Sequence, residues 1–179
     1  MPARHNGPVS SNVRPRSQQP YQYHYSRRTN TMPKKVIFVG SSSEARTQAK
    51  ALIKDLASLT LEFLPWWEAF TPGHLLLNDL AAVKLKVHAA LLVFTPDIPA
   101  TVRGAQVALP NQNVLFELGY FYSALDPSKI ALIKYGATYI PKDLDGYTHI
   151  PGSKYFKPGA SVVAGKKTIE SFNKWVVEL

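Results

Sequence analysis

Val36-Ile37-Phe38-Val39-Gly40-Ser41-Ser42-Ser43-Glu44 is the stretch that sets the class of the fold. Its four consecutive apolar residues read as a short strand buried on both faces, and Gly40 with three serines reads as the turn that ends it. A helix is expected next, from about Glu44 to Ser58, with Ala45, Ala49, Leu52 and Leu56 at helical spacing.

The alternation continues outward from there. Leu61-Glu62-Phe63-Leu64 is a second strand closed by Pro65, followed by an aromatic loop over 66–73 and a helix over 75–87 with Leu76, Leu80 and Val83 along one side. Ala89 to Phe94 is apolar throughout, as a central parallel strand must be. A long loop, 95–112, leads to an apolar helix, and Ile130-Ala131-Leu132-Ile133 is the next strand. A last amphipathic helix is expected over 166–178, with Ile169, Phe172, Trp175 and Val176 on one face. Strands alternating with helices predict an α/β fold, a doubly wound and mainly parallel sheet with helices on both faces. No internal repeat interrupts the pattern.

Composition narrows the chemistry. The chain has 179 residues, a 45% hydrophobic fraction and no cysteine. That is enough for one domain with a core, and it excludes a disulfide scaffold, a thiol nucleophile and a cysteine-ligated metal. The histidines (His5, His24, His74, His88 and His149) show no HxxxH or HxH spacing, so no metal site is expected. The net charge of +9 belongs to the leader. Residues 1–35 hold seven basic and no acidic residues, which leaves Val36 onward at only about +2, too little for a polyanion-binding surface.

Residues 1–33 are rich in Pro, Ser, Asn, Gln and Arg and are expected to form a disordered basic tail. Any nucleic-acid contact is confined to that tail, where Tyr21, Tyr23 and Tyr25 alternate with Gln and His. Met32, just before the first strand, is an expected alternative start of translation. No apolar run reaches the roughly 18–20 residues of a membrane span, and no secretory signal core is present, so a cytoplasmic protein is expected.

One segment carries a chemical signal: Asn113-Val114-Leu115-Phe116-Glu117-Leu118-Gly119-Tyr120-Phe121 places a carboxylate in an apolar helix. At 100° per residue Val114, Leu118, Phe121 and Leu125 share one face, and Glu117 lies about 70° from its centre. There its backbone is anchored by the core while its oxygens reach an adjacent cleft. Ligands of such sheets bind outside the carboxyl ends of the strands. Three segments converge there: 40–44, 65–73 and 95–117. Ser41 and Glu44 have capping-box spacing, and the free N–H groups of that turn suit phosphate or ribose oxygens, although an ordinary helix cap explains the spacing equally well. Trp66 and Trp67 are either a hydrophobic plug or a flat platform for a purine or nicotinamide ring. Arg103, beyond the end of the central strand, is either a pyrophosphate ligand or a solvated loop charge. Glu117 is the best catalytic candidate. A lone carboxylate can stabilise the oxocarbenium-like transition state of N-glycosidic cleavage, contact ribose hydroxyls or form a glycosyl intermediate.

Taken in order, Val36-Ile37-Phe38-Val39-Gly40-Ser41-Ser42-Ser43-Glu44, Trp66-x-x-x-Phe70-x-x-Gly73, Phe94-Thr95-Pro96-Asp97, Arg103-Gly104, Asn113-Val114-Leu115-Phe116-Glu117-Leu118-Gly119 and Pro141-Lys142-Asp143-Leu144-x-Gly146 resemble the bacterial TIR-like predicted nucleotide-binding family. This is the TIR domain also found fused to STING or SAVED sensors in antiphage systems. The resemblance spans about 35–147, within a domain expected over 34–179. It implies a flavodoxin-like TIR fold that hydrolyses NAD⁺, as substrate and not as a bound cofactor, to nicotinamide and ADP-ribose or a cyclic product. It makes Glu117 the catalytic residue and places Ser41, Ser42, Trp66, Phe70, Arg103 and Asn113 toward the nucleotide. It also implies a homo-oligomer in which a neighbour's loop completes the site, in antiviral defence.

The chain departs from the family at two places. Pro110-Asn111-Gln112-Asn113 stands where Pro-Arg-Asp-Asn is frequent, and His88 stands where an Asp commonly opens the central strand. Residues 148–179 suffice for one edge element and a helix, so the trigger of assembly is expected to be a separate sensor protein or the domain's own concentration. Two alternatives remain open: a TIR scaffold without catalysis, and an enzyme resembling nucleoside 2-deoxyribosyltransferases.

Overall fold

In the computed structural model, Met1 and residues 33–179 are described. The expectations for the tail, including its tyrosines and Met32, lie outside the described residues. Along the chain follow β1 (Lys35–Gly40), α1 (Arg46–Leu56), β2 (Leu61–Pro65), the single turn α2 (Trp66–Ala69), α3 (Leu76–Lys84), β3 (Ala89–Phe94), β4 (Ile98–Val102), β5 (Ala105–Leu109), α4 (Gln112–Ala124), β6 (Ile130–Lys134), β7 (Thr148–Pro151) and α5 (Lys166–Val177).

Five strands form one sheet in the order β2-β1-β3-β6-β7, and every neighbouring pair is parallel. Numbering only the strands of this sheet, the order is that of the flavodoxin-like doubly wound fold. Alternate residues of each strand enter two separate cores. Ile37, Val39, Leu91, Val93, Ala131 and Ile133 meet Ala49 and Leu52 of α1 and Phe172 and Trp175 of α5. Phe38, Leu92, Phe94, Ile130 and Leu132 meet Leu80 and Val83 of α3 and Val114, Leu118 and Phe121 of α4. Both faces are therefore covered, which is why these strands read as unbroken apolar runs and not as alternating ones. No helix among the described residues is long and apolar enough to cross a membrane.

His88 has a structural part at the mouth of β3. Its backbone N–H donates to the Val36 carbonyl (2.8 Å), and its ring Nδ1 accepts from the Val36 N–H (3.1 Å), so the imidazole extends the ladder by one bond. Between β6 and β7 there is no α-helix. A loop with one 3₁₀ turn (Lys142–Leu144) makes the crossover and packs Ile140, Leu144 and Tyr147 on the α4 side.

Two sequence expectations are corrected. The segment 95–112 is not an irregular loop, because β4 and β5 form an antiparallel hairpin with Val102 opposite Ala105. Its two turn residues, Arg103 (φ 50°) and Gly104 (φ 81°), are both left-handed, the conformation in which two-residue turns match the twist of the strands. Arg-Gly is an uncommon dipeptide there, and Pro99 argues against a strand unless the strand lies at an edge. The second correction concerns the cap of α1. Its N-cap position is Ala45, with no side-chain cap; Ser42 Oγ accepts from the Ala45 N–H just ahead of the helix (3.2 Å), and Ser41 is engaged elsewhere.

Candidate functional site

A doubly wound sheet opens a crevice at the carboxyl ends of its strands where the strand order reverses, since crossovers leave there in opposite directions. The reversal here lies between β1 and β3. A cavity of about 150 Å³ sits above it, lined by Ser41, Ser42 and Ser43 after β1, by Trp66, Phe70 and Leu76 between β2 and α3, and by Asn111, Asn113 and Glu117 at the start of α4. Six of the seven residues singled out from the sequence thus share one cavity. Arg103 stands apart, exposed at the tip of the β4–β5 hairpin. A larger, shallower cleft of about 620 Å³, between β5 and the segment 134–149, holds none of them.

Glu117 dominates the site. Its helix is started by Asn111, whose side-chain oxygen accepts from the Asn113 N–H (2.9 Å), and is held down by Val114, Leu118 and Phe121. The same face carries Glu117 inward to 4% exposure, deeper than a border position on the helix implies. Its Oε2 is the one buried side-chain oxygen or nitrogen among the described residues that has no hydrogen-bond partner. No other residue lining the cavity carries a charge. Burial without a counter-charge pushes the carboxyl from 4.5 up to about 8, so at neutral pH it holds its proton.

The space for this carboxyl comes from Gly40, which sequence reading treats only as a turn residue. A Cβ built on Gly40 collides with Glu117 Oε2 and with Leu92 Cδ2, and comes within 3.2 Å of Phe38. Gly40 is the last residue of β1 and lies on the same face as Phe38, toward α4. The missing side chain is therefore the seat of the carboxylate. Only the position of a glycine at the end of a buried strand hints at this in the sequence.

The serine turn is held from both sides. Trp66 Nε1 donates to Ser41 Oγ (3.0 Å), which in turn donates to the Ser42 carbonyl (3.2 Å). Ser42 Oγ lies 3.4 Å from Thr95 Oγ1, and Thr95 donates to Asp97 (2.9 Å to each oxygen). Burial raises the Asp97 carboxyl above the usual range, opposed by hydrogen bonds from Thr95 and Ser42. Asp97 thus ties the end of β3 to the turn after β1. Trp66 and Trp67 do not make one flat platform, because their rings meet at 82°. Trp66 walls the cavity, and Trp67 packs against the opposite core. Phe70 leans on Phe38 (5.8 Å between centroids) and is followed by a clasp. Asp79 accepts from the Thr71 N–H (2.8 Å) and pairs with His74 Nδ1 (3.3 Å). Aromatic walls, three hydroxyls, two amides and one uncompensated carboxyl suit a cationic, hydroxyl-bearing group of modest size.

The chain is similar to known proteins along most of its length. Residues 36–154 match the family described as CAP12/Pycsar effector protein, TIR domain. The chain is 33% identical over 146 residues to CD-NTase-associated protein 12 of Sphingobacterium faecium, a match covering 82% of this chain and 44% of that protein. The protein of the same name from Niabella drilacis is 31% identical over 145 residues, covering 78% and 46%. The chain thus spans less than half the length of these relatives. Among solved structures, a flavodoxin-like domain from a Synechococcus species overlaps 81% of this chain and all of its own length, at 14% identity and a TM-score of 0.41. The fold assignment rests on the strand order rather than on that overlap.

Proposed function

The chain belongs to the CAP12/Pycsar effector TIR-domain family, and from that premise we propose that it is an NAD⁺ glycohydrolase acting in antiphage defence, with Glu117 as its catalytic carboxylate. The observation that carries the reading is the orphaned Glu117 Oε2 inside a cavity that offers it no counter-charge. An isolated buried carboxylate is costly unless something pairs with it. The pyridinium ring of NAD⁺ brings a positive charge, and the ribosyl carbon develops one as the C1′–N bond breaks.

In the resting protein Glu117 is neutral. Entry of the cationic ring favours its ionised form, and the proton leaves to solvent. As the glycosidic bond breaks, its electron pair passes to the ring nitrogen and nicotinamide departs neutral. Glu117 then faces the oxocarbenium carbon and stabilises it electrostatically. Addition of water gives ADP-ribose and a proton. Ser41, Ser42 and Asn113 are assigned to the ribose hydroxyls, and Trp66 and Phe70 to the ring. NAD⁺ is a substrate in this scheme, and no cofactor is required.

Self-assembly is part of the proposal. The β4–β5 hairpin carries exposed, left-handed Arg103 at its tip, outside the lining of its own chain's cavity, and is assigned to the contact with a second copy. The name of the two relatives links them to a CD-NTase. A separate CD-NTase or sensor is the proposed trigger, and the cytoplasm the proposed place. The test is substrate choice. Concentrated protein should release nicotinamide from NAD⁺ but not from NADH, whose ring is neutral. Release of base from deoxyinosine instead would turn the reading to a deoxyribosyltransferase, and no turnover of any of the three would favour a scaffold.

A further inference from the structure

The cavity beside Glu117 is too small for a dinucleotide. At about 150 Å³ it falls below the roughly 300–1,000 Å³ of pockets that enclose a whole organic ligand. Only one end of the substrate has room there. The diphosphate must lie outside the mouth, so a cation is needed there rather than in the cavity.

The described residues contain two arginines, Arg46 and Arg103. Neither lines the cavity, and Arg103 is at the hairpin tip. Arg46 begins α1, and its backbone N–H donates to the carbonyl of Ser43, a residue of the cavity rim (3.2 Å). Its guanidinium lies over the indoles of both tryptophans, 5.7 Å from the centre of Trp66 and 5.2 Å from that of Trp67. Trp66 is the wall of the cavity and is pinned through Nε1 to Ser41. The same indole therefore borders the cavity and braces the arginine. Among the described residues no carboxylate stands within ion-pair distance of Arg46. One turn later, Lys50 Nζ lies 5.8 Å from the centre of Trp67 and adds a second positive charge on that side.

We propose that Arg46 binds the diphosphate of the substrate at the cavity mouth, so that the site takes a dinucleotide end-on and grips its bridge through a tryptophan-braced guanidinium. The proposal rests on the glycohydrolase reading of the same site and adds the subsite that selects a dinucleotide over a nucleoside. A planar guanidinium presents paired donors to phosphate oxygens, and stacking on an indole fixes that plane before the ligand arrives.

The experiment compares the full chain with Arg46→Gln and Arg46→Lys. Binding of ADP-ribose is measured by calorimetry, and nicotinamide release is followed from NAD⁺ and from nicotinamide riboside, which lacks phosphate. Arg46→Gln is expected to weaken ADP-ribose binding, and kcat/KM for NAD⁺, by about ten- to a hundredfold. Cleavage of the riboside should stay unchanged, and Arg46→Lys should recover part of the loss. Equal binding of ADP-ribose by the wild type and Arg46→Gln overturns the proposal. So does an equal loss on both substrates, which would mark Arg46 as a prop for Trp66 alone. If the wild type binds ADP-ribose through Arg46 yet releases no nicotinamide, the diphosphate subsite stands and the glycohydrolase reading falls.

Discussion

At the scale of the residue, the protein places an uncompensated carboxyl where an apolar side chain would be more stable. The energetic sign follows from its titration. In the unfolded chain Glu117 loses its proton near 4.5, whereas in the folded protein it does so only near 8. Between these values the folded state binds the extra proton, so this group's contribution to stability is full below 4.5, falls as pH rises and is lost above about 8. Glu117→Gln should therefore leave the melting temperature nearly unchanged at about pH 5 and raise it at about pH 9, where the gain amounts to ~3–5 kcal/mol. Thermal melts of both proteins across that range check it. Catalysis carries the opposite sign, since kcat/KM should rise with pH toward about 8 as the carboxylate forms in the free protein. Gly40→Ala should displace the carboxyl. Overpacking of this kind costs about 1–3 kcal/mol of stability, and a shift of about an ångström in a reacting group costs on the order of a hundredfold in rate. Denaturant titration and nicotinamide release measure the two losses separately.

The elements show why some of this was legible in the sequence and some was not. β1, β3 and β6 are buried on both faces, so they announce themselves as apolar runs, and the doubly wound class follows from their alternation with helices. Glu117 is legible because a charge in an apolar helix conflicts with everything around it. The role of Gly40 is not, because it depends on a contact between β1 and α4, far apart in sequence. The β4–β5 hairpin is hidden by Pro99 and by an Arg-Gly turn, and the serine turn before α1 reads as a side-chain cap that the helix does not have. The stacking of Arg46 on the tryptophans likewise requires α1 and the segment after β2 to be side by side. Asp79 of α3 belongs to this hidden class: it clasps the segment that carries Phe70, through the Thr71 N–H and His74. Asp79→Ala should cost about 0.5–1.5 kcal/mol by removing that hydrogen bond. Its functional mark should be a raised KM for NAD⁺ with little change in kcat, seen in initial-rate kinetics.

For the whole molecule, the sheet brings the ends of β1 and β2 and the start of α4 to one small cavity. Substrate enters end-on in this account, and further copies supply what a single chain lacks. Specific activity should then rise with protein concentration more steeply than the amount of enzyme alone requires, and light scattering should show larger species over the same range. A specific activity independent of concentration would place a complete site in each chain. The central claim is that Glu117 cleaves the nicotinamide–ribose bond. The most direct measurement is nicotinamide release from NAD⁺, followed by chromatography, for wild type and Glu117→Gln at the same high concentration. Release by the wild type that the single oxygen-to-nitrogen change abolishes is the predicted result, and release that persists undiminished in Glu117→Gln would contradict it.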